Sequence, residues 1–442
     1  MAPLIPVLYD LATWAAQPLL RRKLRRRGGA EPGYLQAVDE RFGRYGATPA
    51  RPVPQAGAPV VWVHAVSLGE TRAAAIVLPQ LRAQWPGMRL LLTHGTATGR
   101  ADGAKLLQAG DVQLWQPWDT HAATRRFVQT WRPDIGVLME TEVWPNLVRA
   151  CTDVGMPLVL ANARLSAKSL RGAQRTAGLL PAAYRALTAV YAQTEPDAAR
   201  FRALGVPTVE VLGNLKFDAQ PAAPLLDLGR RWRDAAPGRP VLMLASSREG
   251  EELAFFKQIR AAAPAESAQK AINSIVNRPQ WLVVPRHPQR FDAVADLAAQ
   301  QGLSVSRRSQ WGTGAPQAAD LWLGDSLGEM AAYYALADVA LLGGSFEPLG
   351  GQNLIEAAAC GCPVVMGPHT FNFSQAAEQA LAAGAALRVA DLAQGLQAAQ
   401  ALAGDAPRRQ AMAEAGRAFA RQHQGAAART AAALQLLWQG AR

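Results

Sequence analysis

Four times in this chain a hydroxyl or amide residue is followed three positions later by glutamate: Ser67/Glu70, Ser246/Glu249, Ser326/Glu329 and Asn353/Glu356. That spacing is a capping box, in which the two side chains satisfy the free amides of a starting helix. It also suits chemistry. A helix that begins at the carboxyl end of a strand offers free N–H groups and a positive dipole to an anion. Glu70 closes "VVWVHAVSLGE", so it is either a cap or an acid at the mouth of a cleft. Glu140 and Glu142 in "LMETEVWPN" are two acids beside an apolar run, and they need hydration, partners or a task. Lys216 in "GNLKFD" is a solvated loop residue or a cation that holds an anionic substrate and developing negative charge. Arg286 and His287 in "VVPRHPQRF" end another strand-like run, and Arg286 offers a fixed fork of donors to a phosphate or to a surface carboxylate. Gly343-Gly344 and Gly350-Gly351 permit close backbone approach to a phosphate. Their spacing is neither GxGxxG nor a Walker A loop, which disfavours dinucleotide and P-loop chemistry and suits a nucleotide sugar.

Strand-like runs must position these residues. In the first half they fall at Val60–Val66, Arg89–His94, Val112–Gln116, Ile135–Met139, Leu158–Ala161, Val190–Gln193 and Val209–Leu212. After a Pro-rich stretch they resume at Val241–Ala245, Trp281–Pro285, Leu321–Leu323, Val339–Leu342 and Val364–Met366. Helical stretches lie between most of them, and alternation of this kind specifies parallel, doubly wound sheets. The expected organisation is a basic-flanked N-terminal membrane anchor over 1–27, a first domain over 28–218, a linker over 219–240, and a second domain over 241–442 that carries the C-terminal helices. Ala265–Arg278 reads as a surface insertion. Two such domains predict a cleft with ligands at the strands' carboxyl ends.

The 442 residues are half apolar and 18 % charged, which excludes a disordered chain. The net charge of +12 favours anionic partners. Half of that excess is Arg21, Arg22, Lys23, Arg25, Arg26 and Arg27, directly after "LIPVLYDLATWAAQPLL". A basic cluster on that side is opposite to a signal peptide and predicts an uncleaved anchor against an anionic leaflet. An amphipathic first helix with a solvated Arg run is the alternative. Cys151, Cys360 and Cys362 are too few for a disulfide framework and fit a reducing compartment. The six histidines show no ligand spacing, so no metal site is expected.

Seven segments in order carry a family resemblance: "HAVSLGET", "METEVWPNL", "ANARLS", "GNLKFD", "VPRHPQRF", "GDSLGEM" and "GGSFEPLGGQNLIEAAACGCPVVMGPHTFNF". Together they resemble the 3-deoxy-D-manno-octulosonic acid (Kdo) transferases of Gram-negative bacteria, from the N-terminus to about Phe373. The resemblance implies a GT-B fold of two Rossmann-like domains facing a cleft, with an N-terminal membrane-associated helix. It implies inverting transfer of Kdo from CMP-Kdo to the lipid A precursor (lipid IVA) at the cytoplasmic face of the inner membrane, in lipopolysaccharide biosynthesis. It implies Glu70 as general base and Glu140 and Lys216 as transition-state stabilisers. For CMP it points to Pro285, Arg286, Leu327, Gly328, Glu329, Asn353, Leu354, Ile355 and Glu356. Many members carry His where this chain has Gln352, which touches a secondary contact near the nucleotide.

No cofactor or metal is expected, because CMP is an activated leaving group and no DxD-type acidic pair adjoins the Gly-rich turn. The expected partners are donor, lipid acceptor and anionic inner-membrane lipids, with no nucleic acid. Three other readings compete: a GT-B transferase using a UDP-sugar on a lipid-linked acceptor, a basic nucleic-acid-binding protein, and a sugar-nucleotide epimerase. Against the second stands the absence of RNP, zinc or helix-turn-helix signatures.

Overall fold

Val60–His64 (β1) is buried at all five positions, as a strand covered on both faces must be. The computed structural model describes residues 4–46, 50–235, 238–261, 278–312 and 314–440, and the chain divides into two units. The expected insertion Ala265–Arg278 lies, up to residue 277, outside the described residues.

In the first unit β1 joins Arg89–His94 (β2), Val112–Trp115 (β3), Ile135–Met139 (β4), Leu158–Ala163 (β5), Ala189–Ala192 (β6) and Val209–Val211 (β7). The order is β3-β2-β1-β4-β5-β6-β7, and every pairing is parallel. Connections leave β1 toward β2 on one side and reach β4 on the other, so the topological switch lies between β1 and β4. Glu70 and Glu140 follow these two strands.

The second unit repeats the plan with Val241–Ser247 (β8), Gln280–Pro285 (β9), Val305–Arg307 (β10), Leu321–Leu323 (β11), Val339–Leu342 (β12), Val364–Met366 (β13) and Ala386–Arg388 (β14). Its order is β10-β11-β9-β8-β12-β13-β14, again all parallel, with the switch between β8 and β12. The strands β10 and β14 were not legible: each has three residues and sits at a sheet edge, where burial imposes little pattern.

Two expected boundaries are corrected. The stretch 219–240 is no bare linker, because Ala223–Asp234 is a helix of the second unit. It lies so close to the Met330–Leu336 helix that a Cβ on Gly229 would clash with the Ala332 carbonyl oxygen. The last helix, Ala426–Gly440, belongs to the first unit and not the second. Its Ala427, Ala431, Leu434 and Trp438 join the first core, Trp438 meets Trp85 edge-on at 5.6 Å, and Asp218 accepts from the Gly425 and Ala427 amides at its start.

The N-terminal apolar run forms Leu4–Ala15, and a second helix, Gln17–Ala30, carries the basic cluster. Among the described residues no helix is long and apolar enough to cross a membrane. The first helix is tied to its unit through Tyr9 Oη donating to Asp119 (2.8 Å) and Arg149 pairing with Asp10 (2.7 Å). Val7, Leu8, Leu11, Trp14 and Leu19 are left more than half exposed.

Candidate active site

Ser67 sits extended ahead of the Leu68–Gln84 helix, and its Oγ accepts from the Glu70 amide. Glu70 turns back: Oε2 accepts from the Val66 N–H at 2.7 Å and Oε1 from the Ser67 hydroxyl at 3.1 Å. The cap and the acid are therefore the same carboxylate. Burial, with the charge of Glu142 and a smaller contribution from Glu140, outweighs those hydrogen bonds and lifts its pKa to about 7. A carboxylate poised there is basic enough to take a proton at neutral pH.

Glu140 follows β4 in a left-handed conformation (φ 57°), a geometry that costs a non-glycine residue about 1–2 kcal/mol. Its amide donates to Ala161 O, and its carbonyl accepts from the Arg164 amide. The turn aims a nearly buried carboxylate at two cations, Arg164 Nε at 2.9 Å and Lys216 Nζ at 3.4 Å. Lys216 rides on the short turn Leu215–Asp218, whose Leu215 amide donates to Asn162 Oδ1. The expected pair Glu140 and Lys216 is thus in contact. Glu142 accepts from Trp144 Nε1, and burial pushes its carboxyl up.

In the second unit Pro285 ends β9 and presents Arg286, whose Nε donates to Gln352 Oε1 at 3.2 Å. The departure from the family's His therefore falls on an Arg286 partner. Next to Gln352, Asn353 caps the Leu354–Cys360 helix by accepting from the Ile355 amide at 3.1 Å. The Leu354 and Ile355 side chains are buried, and Glu356 stands in the same first turn. On the β11 side, Leu327 is 69 % exposed beside Gly328 (φ 82°), and Glu329 accepts from Arg308 through Nε (3.0 Å) and Nη2 (2.9 Å). Glu329 is thereby tied to the turn after β10, and it also accepts from the Ser326 hydroxyl.

The pair Ser246/Glu249 is not a capping box. β8 runs on to Ser247 through a bulge with Ser246 at φ 56°, which moves the helix start to Glu251. Glu251 then accepts from the amides of Arg248, Gly344 and Phe346, and so shapes the Gly-rich turn after β12. Sequence reasoning missed Glu251, Arg164 and Asn162. Glu251 has Arg248 rather than a cap-type side chain three positions before it, so spacing did not mark it. Cys360 and Cys362 are free thiols, and burial pushes Cys360 up to about 12 and Cys362 well above its usual range.

Two parallel, doubly wound α/β units are what a GT-B fold is built from. The solved structure of Anabaena HepE in complex with UDP shares this fold, with a TM-score of 0.56 and 15 % identity over 85 % of this chain and 99 % of that one. A 3-deoxy-D-manno-octulosonic-acid transferase family model matches residues 36–219, and a glycosyl transferase-like model matches residues 307–435. The 3-deoxy-D-manno-octulosonic acid transferase of Bordetella pertussis is 47 % identical over 97 % of this chain and 98 % of its own length. That of Haemophilus influenzae is 32 % identical over 83 % of each. The chain belongs to the Kdo transferase family, and it is a glycosyltransferase of lipopolysaccharide biosynthesis.

Proposed function

We propose that this chain transfers Kdo from CMP-Kdo to a lipid A precursor at the cytoplasmic face of the inner membrane, by direct displacement and without a metal. The carrying observation is Glu70, a single carboxylate fixed by the Val66 amide and the Ser67 hydroxyl beside a topological switch and held near neutral basicity. Its Oε atoms take the proton of an acceptor hydroxyl while that oxygen attacks the anomeric carbon of Kdo. The bond from that carbon to the CMP phosphate oxygen breaks, CMP leaves with the electron pair, and the anomeric centre inverts. Lys216 and Glu140 act as a charge pair that stabilises the separating charges. Arg286 and the amides at the Asn353 helix start hold the phosphate as it leaves.

The acceptor lipid accounts for the N-terminus. The exposed apolar residues Val7, Leu8, Leu11, Trp14 and Leu19 precede six basic side chains, which suits a helix lying in the membrane interface against anionic lipid. Calorimetric titration with CMP and UDP tests the donor side. Binding of CMP at least about tenfold tighter supports the proposal, and a preference for UDP makes the chain a UDP-sugar transferase.

A further inference from the structure

We propose that Asn162 is a positioning residue for this reaction: it fixes the turn that carries Lys216, so that the Lys216 ammonium stands against Glu140. The inference rests on the proposed roles of Glu140 and Lys216. Asn162 lies in β5 directly after Ala161, whose carbonyl receives the Glu140 amide. The pairing of β5 with β6 loses register between Leu160 and Ala163, and Asn162 itself is left-handed (φ 51°) and 1 % exposed. Two strained non-glycine residues, Glu140 and Asn162, thus stand at the ends of neighbouring strands. The distortion sends Asn162 Oδ1 to the Leu215 amide at 3.1 Å, across 53 positions of chain, one residue before Lys216. The backbone carbonyl of Asn162 is anchored in turn by Gln193 Nε2 at 2.9 Å.

Residue chemistry narrows the role. Asparagine tolerates the left-handed region better than most residues and also offers an acceptor. Glycine would take the backbone and lose the acceptor, while aspartate would add a charge beside the Glu140–Lys216 pair. The Asn162 Nδ2 donor is buried without a hydrogen-bond partner among the described residues. A stabilising role alone does not explain an orphaned donor, which is unfavourable. The Leu215 tie does explain why the amide is kept. Lys216 N also donates to Asn214 Oδ1, but that bond is local and cannot fix the turn to the sheet.

The test uses the full chain with Asn162→Gly, Asn162→Ala, Lys216→Ala and the two double variants. Transfer is read with radiolabelled CMP-Kdo at enzyme concentrations high enough to follow residual rates. In the wild-type background Asn162→Gly should lower kcat at least about tenfold, a loss typical of a displaced catalytic group. CMP affinity and donor KM should stay within about twofold, since those contacts lie elsewhere. Added to Lys216→Ala, the same change should cost nothing further, because no ammonium remains to be placed. Asn162→Ala should agree, which excludes an effect of glycine flexibility and leaves one readable variant if the other misfolds. An equal fold-loss in both backgrounds, or an unchanged kcat, overturns the inference. Wild-type transfer by Lys216→Ala overturns the active-site reading, and the inference falls with it. Loss in Lys216→Ala without loss in the Asn162 variants overturns the inference alone.

Discussion

Replacing Glu70 by Gln separates the two roles that the structure gives to one carboxylate. The amide still accepts from the Val66 N–H and stays compatible with the Ser67 cap, but it has no useful basicity. Transfer should fall at least about 10²-fold, the low end for a positioned base. The raised pKa adds a second, independent consequence. With a pKa of about 7, the ionised fraction climbs from about one tenth at pH 6 to about nine tenths at pH 8, so the wild-type rate should rise through that window. Glu142→Gln should move the rise to lower pH, since the Glu142 charge is a leading cause of the shift after burial. Stability runs the other way. The folded pKa lies above the ordinary 4.5, so the folded state binds more protons between these values, and stability is lost as pH climbs from about 4.5 to about 7. The shift corresponds to about 3 kcal/mol, which Glu70→Gln should recover in part at pH 8 and not at pH 4.5. Rates at several pH values and denaturation midpoints at two would be measured. Wild-type transfer by Glu70→Gln, or a flat rate from pH 6 to 8, refutes the assignment and moves the base to Glu142 or Glu140.

Replacing Leu8, Leu11 and Trp14 by Asp should abolish flotation of the protein with anionic vesicles while CMP binding persists; unchanged flotation contradicts interfacial docking. Changing the six basic residues from Arg21 to Arg27 to Gln should weaken the same attachment by about 1 kcal/mol per charge near the surface, and added salt should mimic it. Arg286→Ala should cost CMP about 1.5–3 kcal/mol by calorimetry, and EDTA should leave turnover intact. Gly229→Ala should destabilise the second unit by about 1–3 kcal/mol in thermal melts, because the new methyl meets the Ala332 backbone and the two helices must part.

Where a strand is buried on both faces, the sequence is read easily. β4 and β12 are unbroken apolar runs and β1 is apolar up to His64, and the candidate acids Glu70 and Glu140 follow β1 and β4. What was hidden is hidden for physical reasons. β10 and β14 are short edges with little burial pattern. The bulge in β8 moves the helix start to Glu251, so spacing alone paired Ser246 with Glu249 when the acid that accepts from the turn amides is Glu251. The left-handed turns at Glu140 and Asn162 are tertiary effects, and no local propensity announces them. The apolar N-terminus was legible as an unusual surface, but the pinning of its first helix through Tyr9 and Asp10 depends on partners more than a hundred positions away. The last helix gives no local sign of which unit it joins, because any amphipathic helix with an apolar face fits either core.

The central claim is transfer of Kdo itself. Purified chain, CMP-Kdo and a tetraacylated lipid A precursor in detergent or vesicles should yield an acceptor heavier by whole Kdo residues, resolved by mass spectrometry, with one CMP released for each residue added. CMP release without any mass gain on the lipid, or mass gain only when a UDP-sugar replaces CMP-Kdo, would contradict the account.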